Sequence, residues 1–348
     1  MKYLANISQV QAKKINKLIK EGQYESMAQF ISVAVENQLY LEESEEIQSI
    51  NQRDLNVDQG LDKVSKVIDF DRLKLSNIHL EPELVTDPTF NQLVLSNGEK
   101  KEENIWLWGQ INKILPVKIG IRVLLLELKE RKWMELDHFL VKATNEAAQF
   151  GNLIRSFEDK NDKKRDEKIS AGLPDTTNEK SQTRYKSHFL TQVRRDGLLN
   201  GAMAILRFAN INTNGKSDKR FIGLTKHGLK FATLNNPVLD MENFDLSLSK
   251  SEAQFYLEHS KKHVINEHQA ILWVLRKINN GINERDDLNQ ELKEEYGDYW
   301  EASDAVINTQ RAGLMARMFE LGLLDKDKKG IYVTYKLSEF GKSYLNKN

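Results

Sequence analysis

The sequence lacks cysteine, long apolar runs and an excess of charge of either sign. Without cysteine the chain has no disulfide, no thiol nucleophile and no zinc site of the cysteine type, which fits a reducing compartment. Lys and Arg number 51, Asp and Glu also number 51, and the formal net charge is zero. Overall charge therefore gives no indication of nucleic-acid binding, and any such surface must be a local basic patch.

Two further absences concern membranes and catalysis. The longest apolar stretch, VLLLEL at residues 123–128, is far shorter than the roughly 20 residues that span a bilayer. The N-terminus has no apolar signal core, so we expect a cytoplasmic protein without a membrane partner. No Ser-His-Asp order, paired acids or Gly-rich nucleotide loop stands out, so we predict a protein that is not an enzyme and needs no cofactor.

The first 41 residues contain the pattern of a small dimeric unit. Residues 2–7, KYLANI, alternate with a period of two, which predicts a strand. Its two faces carry Tyr3, Ala5 and Ile7 on one side and Lys2, Leu4 and Asn6 on the other. An amphipathic helix over residues 8–22 follows, and then a second helix that begins at Ser26. About 40 residues rarely bury a core alone, so we predict a homodimer whose strands pair.

This order of strand, helix and Ser-capped helix, with QFISVAVENQL in the second helix, resembles the ribbon-helix-helix class of Arc, MetJ and CopG. The resemblance implies a ribbon that enters the DNA major groove, with Lys2, Leu4 and Asn6 toward the bases and a phosphate at the helix start near Ser26. The dimer interface would comprise Tyr3, Ala5, Ile7, Phe30 and Ile31. Leu4 departs from the polar residue usual in the class, and the alternative is a ribbon that only dimerises.

Residues 42–103 are predicted to be an acidic, partly irregular linker. Its first part, residues 42–62, holds seven acids and one Arg, and residues 64–103 include Pro82 and Pro88. An acidic run of this kind is usually solvated, and the alternative is a binding segment for a protein partner such as a toxin.

Residues 104–240 and 250–348 follow one plan of helices, a polar-tipped hairpin and a closing helix. The matching marks are RDGLL with ELGLL, and LTKHGLKF with LSEFGKSY. This plan resembles the winged helix, a helix-turn-helix core with a β-wing. The predicted fold is therefore mainly α with small β elements: a ribbon-helix-helix dimerisation domain plus two winged-helix domains.

The third helix of the first domain, predicted over residues 180–195, has five basic residues and no acid. Tyr185, Phe189 and Val193 are spaced as its buried stripe. The resemblance implies that this helix lies in the major groove and that the wing contacts the backbone or minor groove. The candidate DNA-binding residues are Lys180, Arg184, Ser187, Thr191, Arg194 and Arg195 in the helix, and Lys216, Lys219 and Arg220 in the wing. The alternative is a solvated basic helix.

The second domain offers a weaker basic signal. Its candidate contacts are Thr309, Gln310 and Arg311 in the third helix, and Lys328 and Lys329 in the wing. Asp304 and Glu320 dilute the positive charge of that helix, so double-stranded DNA and a protein partner both stay open for this domain.

The histidines at 259 and 263 are one helical turn apart and could share a metal with Glu267 nearby. No third ligand falls on the same face, so surface histidines without a metal are predicted. The first interpretation of the whole chain is a homodimeric, sequence-specific DNA-binding protein that acts as a transcriptional regulator. The alternatives are a non-catalytic adaptor subunit of a mobile-element or defence assembly, a plasmid or phage replication or partition protein, and an antitoxin-like repressor.

Overall fold

The computed structural model describes residues 9–20, 26–27, 70–78, 85, 106–129, 131–164, 167–193, 199–213, 219–300, 303–329 and 332–348. The chain divides into two compact units, Met1–Val67 and Ile68–Asn348. It is mainly helical with small sheets, which confirms the predicted class at that level. Within the described ranges, no helix combines the length and the apolar character that a membrane span requires.

In the first unit, helix α1 (Gln9–Lys20) is present where the sequence predicts it. Ile15 is buried and Ile19 half-buried, as expected for the apolar stripe, and Lys17 and Lys20 lie in the last turn, where a cation complements the helix dipole. Ser26 is exposed. The predicted ribbon residues Lys2, Tyr3, Leu4, Ala5, Asn6 and Ile7, together with Phe30, Ile31 and the acidic run at 42–62, lie outside the described residues.

The second unit begins with short turns from the predicted linker and continues into a first repeat, defined here as residues 115–232. Its elements are α2 (Leu115–Leu128), β1 (Met134–Glu135), α3 (Leu136–Lys160), α4 (Glu179–Arg184), a π-helix (Tyr185–Leu190), β2 (Gln192–Val193), β3 (Leu199–Asn200), α5 (Ala202–Ile205), β4 (Ala209–Thr213), β5 (Arg220–Leu224) and α6 (Lys226–Ala232). Helix α2 is almost wholly buried, and Pro116 lies in its first turn, where the missing N–H has no cost. The antiparallel sheet has the order β1-β5-β4.

Two expectations for this repeat are wrong. The third helix ends at Leu190 and not at 195, because Thr191 is extended (φ −157°, ψ 150°) and the next residues form the β2–β3 hairpin. The apolar stretch AMAILRFANI at residues 202–211 predicts a single strand, but only its last three residues lie in one, β4. Its first four residues form α5, with Ala202, Met203 and Ala204 buried, and the left-handed Arg207 (φ 56°) separates them from β4.

Helix α7 (Pro237–Met241) and helix α8 (Lys250–His263) connect the first repeat to a second repeat, defined here as residues 265–346. The second repeat comprises α9 (Ile265–Asn279), α10 (Arg285–Trp300), α11 (Asp304–Glu320), β6 (Leu324–Lys329), β7 (Tyr332–Leu337) and α12 (Glu339–Asn346). An antiparallel bridge between Glu284 and Thr334 places the residue before α10 beside β7, as β1 lies beside β5 in the first repeat. Apart from the β2–β3 hairpin and α5 in the first repeat, the two repeats therefore have the same order of elements.

The similar segments LTKHGLKF and LSEFGKSY have one structural cause. Thr225 caps α6 by accepting from the N–H of Gly228 (3.0 Å), and Ser338 caps α12 by accepting from Gly341 (2.9 Å). Both glycines lie against a backbone carbonyl, of Phe208 and of Leu323 respectively, and a Cβ would collide with it. Each repeat thus needs a hydroxyl cap followed three residues later by glycine.

The proposed match of RDGLL with ELGLL, in contrast, is wrong. The counterpart of Gly322 (φ 72°) is Arg207 (φ 56°), and each of these left-handed residues ends a helix just before the hairpin. The N–H of Phe208 bonds to the carbonyl of Met203, and that of Leu323 bonds to that of Met318. The third helical region of the first repeat is therefore interrupted, with residues 191–201 between the π-helix and α5.

Buried ion pairs and hydrogen bonds join the first repeat to the connecting helices α7 and α8 and to the linker. Lys118 of α2 pairs with Glu252 of α8 at 2.8 Å with both side chains fully buried, and burial lowers the pKa of Lys118 to about 8 although Glu252 opposes this. Arg122 bonds to Asp240 (2.9 Å) and to the carbonyl of Leu73. Residues of the predicted linker thus contribute to the core of the second unit.

Candidate nucleic-acid interface

The third helical region of the first repeat is held by one buried edge. The side chain of Asn178 caps α4 by accepting from the N–H of Ser181 (3.0 Å). Tyr185, Phe189 and Leu190 are buried, and the Tyr185 hydroxyl donates to the carbonyl of Pro116 (2.9 Å). Burial raises the pKa of Tyr185, so the phenol stays protonated and keeps this bond. The buried stripe fixes which face of the helix is turned outward.

The outward face of this helix is predominantly basic, although its first residue, Glu179, is acidic and exposed. Lys180, Thr183 and Arg184 are exposed, and Ser187 is half-buried with its hydroxyl toward the Arg184 carbonyl (3.3 Å). Desolvation and the charge of Arg184 lower the pKa of the neighbouring His188, so positive charge on this face is contributed by lysine and arginine. The change from α to π geometry falls directly after Arg184, a feature that is common at functional sites.

Three residues predicted to contact DNA from this helix do not lie on its described exposed face. Thr191 is fully buried, hydroxyl oxygen included, so it is not available to a base edge, and this corrects its assignment. Arg194 and Arg195 lie outside the described residues, between β2 and β3 in the sequence. Lys180, Arg184 and Ser187 remain as the described members of the predicted set.

The predicted wing is the β4–β5 hairpin. Lys216 lies outside the described residues. Lys219 directly precedes β5 and Arg220 is its first residue, and both are exposed. Lys219 makes a solvent-exposed pair with Glu135 (3.4 Å), and Arg220 donates to the carbonyl of Val193 (3.5 Å). Exposed pairs of this kind contribute little, so both side chains can be recruited by a phosphate.

In the second repeat the corresponding side chains are used internally. Gln310 and Arg311 are each 5% exposed, and Gln310 accepts a hydrogen bond from the backbone N–H of Gly109. Arg311 donates to Asn289 and Asn308 (2.8 Å each), and burial lowers its pKa. The assignment of Gln310 and Arg311 as DNA contacts is therefore corrected. The Thr309 hydroxyl donates to the carbonyl of Ala305, and the side chains of Lys328 and Lys329 are not described.

Helix α11 is covered by residues 106–114, which we call the strap. Gly109 and Gly313 lie so close that a Cβ on either would collide with backbone across the contact. Arg317 pairs with Glu267 through two 2.9 Å bonds and donates to the carbonyls of Ile111 and Leu107. Burial opposes the charge on Arg317, but Glu267 outweighs it and the pKa of Arg317 is raised. The side of α11 that meets the strap is therefore not free to enter a groove of DNA.

A groove of about 550 Å³ lies between α4 and α11. Arg184 and Ser181 line one side, Asn308 and Thr309 line the other, and Gly109 of the strap lies at the base. Two residues predicted from separate domains, Arg184 and Thr309, thus border one groove. The strap and Asn308 were not predicted, because the pairing of residues about 200 positions apart has no local sequence signal.

A second cluster involves histidines. The sequence pairs His259 with His263, and the structure adds His227 of α6 as the third member. His227 is 32 positions before His259 in the sequence and on a different helix, so helical spacing could not identify it.

Comparisons with protein-family models, curated proteins and solved structures returned no match to this chain.

Proposed function

We propose that this chain is a sequence-specific DNA-binding protein that acts as a homodimer and that both repeats are winged-helix domains. The observation that carries the proposal is the exposed basic face of α4, with Lys180, Thr183 and Arg184. It is presented by a frame in which a strand before the second helix pairs with the second strand of the hairpin. That element order is the one expected of a winged helix, in which the third helix enters the major groove.

The chemistry of this face suits a duplex. Arg184 has the planar donor fork that binds guanine O6 and N7 or a phosphate, and Thr183 is suited to either partner. Lys180 and the β5 arginine, Arg220, add phosphate contacts that supply affinity without sequence information. The mechanism is binding, with no chemical step.

We propose that the second repeat has a structural role and does not contact DNA bases. Its third helix contributes Gln310, Arg311 and Arg317 to internal bonds, and its exposed positions are Asp304, Ala305 and Ala312. Such a face has neither the cations for phosphate nor the donors for base edges. This favours a protein-facing or purely structural role for α11.

Within DNA-binding functions, we place transcriptional regulation first. The tandem repeat of one plan in a single compact unit also supports a second candidate, a plasmid or phage replication or partition protein that binds repeated sites. Footprinting of genomic DNA by the purified protein distinguishes the two. A regulator protects one or a few promoter-proximal sites, and a replication or partition protein protects an array of repeats.

The proposal is tested by fluorescence anisotropy with the protected DNA and a scrambled duplex at several salt concentrations. We expect preference for the protected sequence, and log affinity that falls linearly with log salt. Equal binding to both duplexes would refute sequence specificity. The absence of salt-dependent binding to any DNA would favour the adaptor alternative, in which the repeats contact proteins.

The dimer is proposed to form through residues 1–41, on the strength of the alternating strand at 2–7. Deleting these residues should yield a monomer in light scattering, because the strand that pairs the two chains is removed, while circular dichroism still shows a folded helical unit. Full-length protein is the control. A truncated protein that remained dimeric would contradict the assignment of the interface.

A further inference from the structure

Three histidines from two helices meet at the junction of the first repeat with the connecting helix α8. His227 is the second residue of α6, and His259 and His263 lie in the last turns of α8. One ring nitrogen of each lies within 4.8 Å of one from each of the others. The ring centroids are 4.2 Å apart for His227 and His263, 4.9 Å for His227 and His259, and 5.1 Å for His259 and His263.

The surrounding structure holds the ring of His259 in place. The ring of His259 stacks on Phe208 and Phe255, and its Nε2 lies 2.8 Å from the carbonyl oxygen of Leu206. A carbonyl only accepts, so Nε2 carries the hydrogen and the lone pair of His259 is on Nδ1. A backbone carbonyl on one ring nitrogen is the usual outer partner of a metal-binding histidine, because it fixes the tautomer. The Thr225 cap fixes the backbone of the first turn of α6, which carries His227.

The surroundings of the three rings favour their neutral form. Desolvation lowers the pKa of His227 and of His259 to about 4, and it also lowers the pKa of His263. Positive groups contribute to these shifts, namely Arg207, Lys226, Lys230 and Lys262. Each ring therefore has a lone pair to donate without first losing a proton, which is the state that metal binding requires.

We propose that His227, His259 and His263 bind one divalent transition-metal cation of the zinc class and leave a fourth coordination position open. Neutral imidazole suits Zn²⁺, Cu²⁺ and Ni²⁺, and three histidines with one open position make a recurrent zinc arrangement. Zn–N bonds of about 2.0–2.1 Å in a tetrahedron set the nitrogens roughly 3.3 Å apart. The rings reach that spacing by small side-chain rotations, for which the half-buried His227 and His263 have room.

The local charge decides the kind of fourth ligand. A dication beside Arg207, Lys226 and Lys262 raises the positive charge of the site further, so an anion is favoured over a neutral donor. Hydroxide, chloride or a phosphate oxygen fits this requirement. The site is thus expected to bind the metal more strongly when such an anion is present.

The position of the site gives the metal a structural consequence. Helix α6 closes the first repeat, and only Val264 separates the end of α8 from α9, the first helix of the second repeat. A metal held by both helices ties the first repeat to the segment that leads into the second. Binding should therefore stabilise the folded chain by mass action.

The experiment uses the full-length protein, stripped with EDTA and dialysed, titrated with ZnCl₂ by calorimetry and with Co²⁺ by visible absorption. We expect one ion per chain, d–d bands of a tetrahedral Co²⁺ site, and a rise in Tm on adding Zn²⁺. His227→Gln and His263→Gln should each weaken Zn²⁺ binding by at least about 100-fold, more than the 10–100-fold typical of losing an outer partner. His138→Gln, at an exposed histidine of α3, is the matched control and should bind like wild type.

The metal-free Tm of each variant establishes that the variants fold, and because both substituted rings are only half-buried we expect little change. The two substitutions lie on different helices, so if one variant does not fold, the other still tests the site. The proposal is overturned if wild type shows no saturable binding at one ion per chain, if neither His227→Gln nor His263→Gln weakens binding, or if His138→Gln weakens it equally. Titration with zinc nitrate in chloride-free buffer, with and without added chloride, tests the anionic fourth ligand. A higher Zn²⁺ affinity with chloride supports it, and an unchanged affinity contradicts it.

Discussion

The two repeats share one frame but use the third helical region differently. Both closing helices begin with a hydroxyl cap and a glycine three residues later, at Thr225 and Gly228 and at Ser338 and Gly341. In the first repeat the region is interrupted after Leu190, and its basic residues Lys180 and Arg184 are exposed. In the second it is the continuous helix α11, and Arg311 and Arg317 are buried.

This difference shows that an arginine count in a helix does not by itself predict a binding face. Arg317 has Glu267 and two strap carbonyls as partners, whereas Arg184 borders an open groove. A buried guanidinium with paired acceptors contributes to the fold, and removing it leaves a buried carboxylate uncompensated. An exposed guanidinium contributes little to the fold and is available to a ligand.

The largest expected effect tests this contrast through stability. Arg317→Ala should lower the free energy of unfolding by about 3–5 kcal/mol, because Glu267 is left buried without its partner. Arg184→Ala should change it by less than about 0.5 kcal/mol, since an exposed side chain is lost. Urea denaturation followed by circular dichroism measures both. Equal costs for the two substitutions would remove the distinction between the repeats.

The second effect concerns DNA affinity. Arg184→Ala with Arg195→Ala should weaken binding by about 2–4 kcal/mol, at about 1–3 kcal/mol for each lost base contact and less for a phosphate. The slope of log affinity against log salt should become shallower by about 2 if both contact phosphates.

Anisotropy titrations at several salt concentrations measure both quantities. Arg276→Ala, at an exposed arginine of α9, is the matched control and should leave binding unchanged. A loss as large for Arg276→Ala as for the double variant would mean that the effect reflects net charge and not the α4 face.

The third effect concerns a feature that the two repeats share, the hydroxyl caps of their closing helices. Thr225→Ala and Ser338→Ala should each lower the free energy of unfolding by about 1 kcal/mol, because each leaves the N–H of a glycine in the first turn without its acceptor. Both hydroxyls also donate to the carbonyl of the left-handed residue before the hairpin, Thr225 to Arg207 (2.8 Å) and Ser338 to Gly322 (2.6 Å). Thr225 is fully buried and Ser338 only half-buried, so the cost at Thr225 should be the larger of the two. Thermal unfolding of the two variants in parallel measures this. If neither substitution lowered the free energy of unfolding, helix capping would not explain why the two segments are similar.

The smallest expected effect lies in the predicted ribbon. Lys2→Ala with Asn6→Ala should weaken DNA binding by about 1 kcal/mol, less than the arginine pair, because Leu4 between them cannot hydrogen-bond a base. The same anisotropy titration measures it, with light scattering to show that the dimer persists. If this variant loses binding and Arg184→Ala with Arg195→Ala does not, the ribbon reads DNA and the repeats contact something else.

Several residues show which predictions were accessible from the sequence. Tyr185 and Phe189 were predicted to be buried by their spacing of four, and they are. Val193 has the same spacing but lies in β2, since the helix ends before it. The expected continuation to 195 failed because no glycine or proline marks the break at Leu190, and the π-turn with the following hairpin is stabilised by packing against other elements. His227 was missed for a related reason, because it joins His259 only through the contact of two helices.

The sequence by itself determined the local and periodic features of this protein: α1, the buried helix α2 with its early proline, the mainly helical class, and two repeats with matching caps. These follow from interactions among residues a few positions apart, whose energetics the residue types dictate. Only the tertiary structure decided that the strap covers α11, that Gln310 and Arg311 bond inward while Arg184 remains exposed, and that three histidines meet. Those outcomes depend on which distant surfaces exclude water from each other, and the exposure of a polar side chain is set by that packing and not by its neighbours in the chain.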